Sequence, residues 1–106
     1  MMKRLTLVMA LCLASGAQAE EAAEVWKAKC KSCHGEDGKA RTKMGQKESI
    51  VDMTQPAWQK AETDADIRAV IAGGSSRNTR MKPYKDKLTA QQIDALVGYI
   101  RTLKAK

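Results

Sequence analysis

Two cysteines and the only histidine of the chain stand together in the run Cys30-Lys31-Ser32-Cys33-His34. On a helix, residues three apart point to the same side, so both thiols would face one partner. The adjacent imidazole can supply a nitrogen ligand next to them. A Cys-x-x-Cys-His run is the attachment signature of c-type haem, in which each thiol forms a thioether with one vinyl group. We therefore predict one haem c per chain, bound covalently through Cys30 and Cys33, with His34 as an axial ligand of its iron.

Three other uses of these thiols fit the sequence less well. A disulfide between residues three apart would close a very small loop and stabilise the fold little. A structural zinc site needs four Cys or His ligands, and after the first 19 residues the chain offers only Cys30, Cys33 and His34. A dithiol redox pair of the thioredoxin type needs a strand–helix context, and no segment shows the alternation typical of a strand. Haem attachment is the favoured interpretation.

The iron needs a sixth ligand or keeps an open position, and thioether sulfur suits low-spin haem. Met81 is the favoured ligand, because Pro83 stiffens the long loop that carries it and a stiff loop can present sulfur from the far side. Met44 follows His34 by only ten residues and would have to turn sharply to the opposite face. Met53 borders a predicted helical turn, where packing in the core is the ordinary role of methionine. Both stay open as alternatives.

The first 19 residues show the three parts of a secretory signal peptide. A positive start at Lys3 and Arg4 precedes an uncharged, largely apolar run of ten residues, which is followed by small residues up to Ala17-Gln18-Ala19. The apolar run is too short to span a bilayer, which needs about 20 residues. We predict a cleaved signal peptide over 1–19 and an exported, periplasmic domain over 20–106. An uncleaved anchor and lipidation at Cys12 are the alternatives.

Apolar periodicity predicts three main helices and no strand. The helical segments are about Glu21 to Cys33, Asp64 to Ala72 and Ala90 to Lys104. The second and third begin with Thr63 and Thr89, each followed three residues later by a residue that can complete a capping box. A shorter helical turn is expected near Glu48 to Met53.

Composition indicates one small domain that lacks large core side chains. The chain has 106 residues, with no Phe, two Trp and two Tyr. This length excludes barrels and enzymes with a separate substrate domain. Small domains with too little apolar surface usually depend on a staple or a cofactor. The two connections, 35–62 and 74–88, are unusually long for a compact domain. We expect helices and loops to wrap around something large, flat and apolar.

The chain resembles class I cytochromes c, specifically the small bacterial type with one haem. The resemblance covers nearly all of the chain after residue 19. It rests on Cys30 to Gly35 after a helix bearing Trp26, on Gly38, on Ile67 to Gly73, on Arg80 to Tyr84 and on Leu88 to Leu103. It implies an all-α cytochrome c fold whose terminal helices cross, where Trp26 would meet Tyr99. It also implies that His34 and Met81 ligate the iron, and that Trp58 corresponds to an aromatic residue beside the haem propionates in some relatives.

Two positions depart from the family pattern. Many members have Gly-Pro in the first loop, where the proline region supports the axial histidine, but here Gln46 follows Gly45. The carbonyl that would orient the second ring nitrogen of His34 is therefore not identified. Many members also have proline directly after the ligand methionine, whereas Lys82 intervenes here.

A haem with both axial positions filled by side chains can exchange electrons but has no free site for a substrate at iron. We expect electron transfer by a soluble exported carrier, and no enzyme activity, because His34 is the only histidine and no other catalytic set is visible. One alternative is a haem enzyme or gas sensor with an open or labile sixth position. Another is a dedicated electron-donor subunit of a larger redox enzyme.

The basic residues indicate the kind of partner. The formal net charge is +7, and Lys and Arg cluster around the attachment site, in the first loop and around Met81. A positive face at the haem edge would steer an acidic redox partner and let it leave. We expect no nucleic acid, at most peripheral contact with a membrane, and a monomer.

Overall fold

The computed structural model describes residues 18–104, and every regular element in that range is helical, as the all-α prediction requires. The first helix, α1, is α-helical over 18–25, continues through a π-helical turn (Trp26–Cys30) and closes with Lys31–His34. The others are α2 (Lys43–Lys47), α3 (Pro56–Ala61), α4 (Asp64–Gly73) and α5 (Ala90–Thr102). The predicted signal peptide falls almost wholly on 1–17, outside the described residues, so its cleavage stays a prediction.

The haem signature occupies the last turns of α1. The amide of Lys31 donates to the carbonyl of Trp26, five residues earlier, which is the hydrogen bond of a π turn. Such turns insert one extra residue into a helix and are frequent at functional sites. Trp26 is buried, with 2% of its surface exposed, and the signature beyond it is only half-buried or exposed. Burial of Trp26 therefore anchors the helix, while its C-terminal end, which carries the signature, stays more exposed.

The two longer helices after α1 agree with their predicted positions because their capping residues act as expected. The Thr63 hydroxyl accepts a hydrogen bond from the Asp66 amide at 3.1 Å at the start of α4. At α5 the capping box is complete: Thr89 accepts from the Gln92 amide, and the Gln92 side chain accepts from the Thr89 amide. Each cap satisfies amides that the first helical turn leaves free.

The prediction of a helical turn near Glu48 to Met53 was wrong. The short helix α2 lies earlier, because the Thr42 side chain caps it by accepting from the Gly45 amide at 2.8 Å. It ends at Glu48, where the following Ser49 takes a left-handed φ of 53°. The helix α3 was not predicted, although Pro56 occupies a first-turn position that proline favours.

One core joins α1, α4 and α5. Its buried members are Trp26, Met53, Ile67, Ile71, Leu88, Ile93, Leu96, Val97 and Ile100. The rings of Trp26 and Tyr99 lie 5.5 Å apart between centroids, which confirms the predicted meeting of these two residues. Arg101 at the end of α5 donates to the Gln59 carbonyl at 2.7 Å and to the Asp64 carboxylate at 2.8 Å. These bonds attach α3 and the start of α4 to α5.

Gly45 allows α2 to pack directly on the end of α1. A Cβ atom at this position would lie 2.8 Å from the Cys33 carbonyl oxygen and would overlap the Ala40 carbonyl. Both clashes involve backbone atoms, which cannot move aside as a flexible side chain could. The close approach of α2 to the haem signature therefore depends on the missing side chain.

We predict that Gly45→Ala lowers the free energy of unfolding by about 1–3 kcal/mol, the usual cost of overpacking. Gly98→Ala is the matched control, because Gly98 lies inside α5 with no atom of the described residues within 4 Å of its ideal Cβ. Alanine there should instead add about 0.5–1 kcal/mol through helix propensity. Guanidinium unfolding of both variants measures the difference. Equal stability of the two would contradict the packing argument.

Candidate haem site

A cavity of about 500 Å³ lies among the end of α1, the faces of α4 and α5 and the two long loops. Every site residue predicted from the sequence lines it, together with both alternative methionines. These residues are Cys30, Cys33, His34, Met44, Met53, Trp58 and Met81. Positions that are up to 51 residues apart in sequence thus meet around one space.

The two thiols are half-buried at the cavity and are not joined to each other. Burial raises the pKa of the Cys30 thiol to about 11. A thiol with a raised pKa is a poor nucleophile toward disulfides at neutral pH, which argues against dithiol redox chemistry. Within residues 18–104 no group of three or more Cys, His, Asp or Glu side chains could hold a metal ion. The described site therefore offers no zinc cluster.

His34 has bonding capacity that the described residues do not satisfy. Its Nδ1 atom is buried and has no hydrogen-bond partner in that part of the chain. Burial also lowers the pKa of the imidazole below 6.5, which favours the neutral form that binds metals. The Trp26 ring packs 5.8 Å from the imidazole, and its Nε1 donates to the Gly35 carbonyl at 3.0 Å. Packing against Trp26 thus positions the side chain, and its lowered pKa favours the form that can act as a ligand.

The backbone of the signature is bound by the segment that follows it. The Ala40 amide donates to the His34 carbonyl at 2.9 Å, and the Thr42 hydroxyl donates to the Cys33 carbonyl at 2.7 Å. These bonds satisfy carbonyls that the end of a helix leaves free. Thr42 was not singled out in the sequence, although a threonine before a short helix is a common cap signal. The signature is therefore constrained on both sides of His34.

Met81 belongs to a loop that is bonded tightly to the end of α4. Its carbonyl accepts from the Ser75 amide at 3.1 Å, and the Tyr84 amide donates to the Ile71 carbonyl at 3.0 Å. Gly74 has a φ of 80°, and a Cβ there would lie 3.0 Å from the Met81 carbonyl oxygen. Glycine at this position lets the loop fold back onto α4 and brings Met81 to the cavity.

The other methionines occupy different surroundings. Met53 is 5% exposed and belongs to the core, as its packing role anticipated, while also lining the cavity. Met44 lies in α2, which packs against the same end of α1 that carries His34. Met81 instead comes from the loop attached to α4. This separation favours Met81 as the residue that faces His34 across the cavity, and its ligation stays a prediction.

The rest of the wall is chiefly apolar. Contributions come from Ile67 and Ile71 of α4, Leu96 and Ile100 of α5, and Leu88. Trp58 of α3 also lines the cavity and packs on the core, and its place beside haem propionates stays a prediction. An apolar wall with two thiols and an imidazole whose buried Nδ1 has no partner among the described residues fits a large, flat, apolar group that carries a metal. The residues present therefore fit haem c.

An all-α fold around such a cavity defines a c-type cytochrome domain, and comparison with known proteins agrees. A solved structure of a c-type cytochrome, KustC0563, superposes with a TM-score of 0.72 at 31% identity, covering 79% of this chain and 98% of that one. Residues 17–100 match the family described as cytochrome c oxidase, cbb3-type, subunit III. The chain belongs to this family of cytochrome c domains, whose members bind haem and transfer electrons.

A curated relative shares this domain within a longer protein. The cbb3-type cytochrome c oxidase subunit FixP of Azorhizobium caulinodans is 33% identical over 85 residues, which is 80% of this chain. The chain spans about a quarter of that relative, 27% of its length. In the described range, no helix is both long and apolar enough to cross a membrane.

We expect each signature thiol to form its own bond to haem. Cys30→Ala and Cys33→Ala, made separately, should each keep haem through the remaining thioether, and the double variant should lose it under denaturing conditions. Mass spectrometry of the denatured chain reports the bound haem directly. Haem that stays attached in the double variant would contradict attachment at these cysteines, and a mass gain of two haems in the parent would contradict one per chain.

Proposed function

We propose that the chain is an electron carrier with one haem c, attached through Cys30 and Cys33 and ligated by His34 and Met81. The observation that carries this proposal is the convergence of these four residues on one largely apolar cavity. When bound, haem supplies a one-electron Fe(III)/Fe(II) couple, and a methionine ligand with an apolar surrounding raises its potential.

In this proposal the protein keeps the ligand segments in place as the charge changes. The Ala40 amide and the Thr42 hydroxyl bind the carbonyls of His34 and Cys33, and backbone hydrogen bonds hold the Met81 loop to α4. Segments bonded in this way reorganise little, which favours rapid electron exchange. His34 and Met81 would both bind the iron, and the chain has no second histidine for acid–base chemistry. We propose a carrier rather than an enzyme on these grounds.

A second candidate is a dedicated electron-donor subunit. It is favoured by the family match and by the relative that is itself an oxidase subunit. In that case the chain would copurify with a membrane-bound redox enzyme in mild detergent. A free carrier would be released as a monomer from the periplasmic fraction, the location that the predicted signal peptide implies. Fractionation with detection of the haem-bearing chain distinguishes the two.

The surface supports a docking face for an acidic redox partner. The cavity wall itself is balanced, with cations Lys29, Arg77 and Arg80 and anions Glu48, Glu62 and Asp66. Outside the wall, the positive excess lies in the Met81 loop, where exposed Lys82, Lys85 and Lys87 stand against Asp86 alone. Val51 and Val70 line the cavity and remain 49% and 40% exposed. We propose that this apolar and basic rim contacts the partner.

Met81→Ala should open the iron to carbon monoxide in the reduced protein and lower the reduction potential, because the thioether is lost. Met44→Leu and Met53→Leu are the matched comparisons and should leave the iron closed to the gas. Visible spectra with and without carbon monoxide, together with a redox titration, measure both effects. If the parent itself binds the gas, the sensor or enzyme alternative is favoured; if Met53→Leu opens the iron instead, the ligand is Met53.

Electron exchange with a small anionic oxidant, ferricyanide, should slow as ionic strength rises, because salt screens the attraction to the basic rim. The variant Arg77→Glu, at an exposed residue that lines the cavity, changes the net charge by the same two units as its control and should slow the reaction several-fold at low salt. Lys60→Glu on α3 is the control for net charge alone, since Lys60 is exposed and does not line the cavity. Stopped-flow rates measure the difference. Equal slowing by both changes would show that total charge acts rather than a local face.

A further inference from the structure

A single carboxylate connects α2 to the loop that carries Met81. One oxygen of Glu48, Oε1, accepts from Asn78 Nδ2 at 3.2 Å, and the other, Oε2, pairs with Arg80 Nε at 3.1 Å. Within residues 18–104 these are the side-chain hydrogen bonds and ion pairs that join segment 43–50 to the 74–88 loop. The Glu48 side chain is 21% exposed, so its bonds are partly shielded from water.

Both partners of Glu48 belong to the turn that delivers Met81. The Asn78 side chain accepts from the Arg80 amide at 2.9 Å, and the Asn78 carbonyl accepts from the Met81 amide at 3.0 Å. Asn78 therefore bonds to Glu48 on one side and to the Met81 backbone on the other. In this chain of hydrogen bonds, Asn78 is the one residue between the Glu48 carboxylate and the Met81 backbone.

The end of α2 determines where the Glu48 carboxylate stands. The Glu48 amide donates to the Met44 carbonyl at 2.9 Å, and the Ile50 amide donates to the Gly45 carbonyl at 2.9 Å. Between them, Ser49 adopts a φ of 53°, in the left-handed region that side chains other than glycine rarely occupy. The backbone on both sides of the carboxylate is thus constrained by the helix end.

The other end of α2 is bonded to the His34 segment. Thr42 caps the helix while donating to the Cys33 carbonyl, and Gly45 packs against the same carbonyl. The helix therefore contacts the His34 segment through its first turn and the Met81 loop through Glu48. It spans the distance between the two predicted axial ligands as one short rigid element.

We propose that Glu48 is a positioning residue that holds Met81 on the iron by fixing Asn78 and Arg80. This inference rests on the proposed ligation by Met81. The Arg80 side chain is 54% exposed, but its ion pair is reinforced by the second hydrogen bond from Asn78 and by partial burial of the Glu48 carboxylate. The ion pair of Arg68 with Asp94 differs, because its side chains are 47% and 56% exposed and it lies away from the cavity. Exposed pairs of that kind contribute little.

The test measures how readily an external ligand replaces Met81. In the oxidised, haem-loaded protein, imidazole binds only the fraction of molecules in which methionine has left the iron, so its apparent affinity reports that fraction. Glu48→Ala should tighten imidazole binding by on the order of tenfold, the effect of losing one hydrogen bond to a charged group. Glu48→Gln should lie between it and the parent, since the amide oxygen can still accept from Asn78. Asp94→Asn is the control and should match the parent.

Two further comparisons make the outcome decisive. In an Asn78→Ala/Arg80→Ala background, Glu48→Ala should add nothing, because the residues through which it acts are gone. If Glu48→Ala still tightens imidazole binding fully in that background, the carboxylate does not act through this turn.

Met81→Ala distinguishes failure of the proposed Glu48 role from failure of the proposed ligation by Met81. If Met81→Ala binds imidazole tightly while Glu48→Ala equals the parent, the role of Glu48 is overturned and the ligation stands. If Met81→Ala also equals the parent, the ligation itself fails.

Discussion

The apolar faces of α4 and α5 pack on one another and also form the wall of a cavity. Ile67, Ile71, Leu96 and Ile100 belong to the buried core and also line a space of about 500 Å³. Apolar surface contributes transfer free energy and dispersion contacts only where other atoms cover it. A large apolar group held in this space would extend the core of a chain without Phe, with the long loops as its outer walls.

The end of α1 is the point where folding and function depend on the same atoms. The last carbonyls of a helix lack amide donors from the helix itself. Here the amide of Ala40 and the hydroxyl of Thr42 donate to the carbonyls of His34 and Cys33. The same bonds fix the direction of Cys33 and His34. Burial lowers the pKa of the imidazole and raises the pKa of the Cys30 thiol. Both shifts suit the proposed ligand role better than that of a redox dithiol.

The relatives place this architecture in two settings. KustC0563 matches over nearly its whole length, whereas the FixP subunit contains the domain within a chain almost four times as long as the matched part. The same helical frame therefore serves both in a protein of similar size and as part of a larger subunit.

The sequence by itself determined the helices that have local signals and the identity of the chemistry. Capping threonines and apolar stripes predicted α4 and α5, and the five-residue signature predicted haem, because these signals act over a few residues. The helices α2 and α3 escaped prediction, since each is only five or six residues long and is stabilised mainly by tertiary contacts. Met81 was favoured over Met44 and Met53 from the stiffness of its loop, and all three line the cavity.

Only the tertiary structure decided which loop is bonded to α4, that Gly45 allows α2 to pack against Cys33, and that Glu48 contacts Asn78 and Arg80. The Glu48 contacts join residues about 30 positions apart, and such pairing leaves no local pattern in a single sequence because it depends on how the whole chain packs.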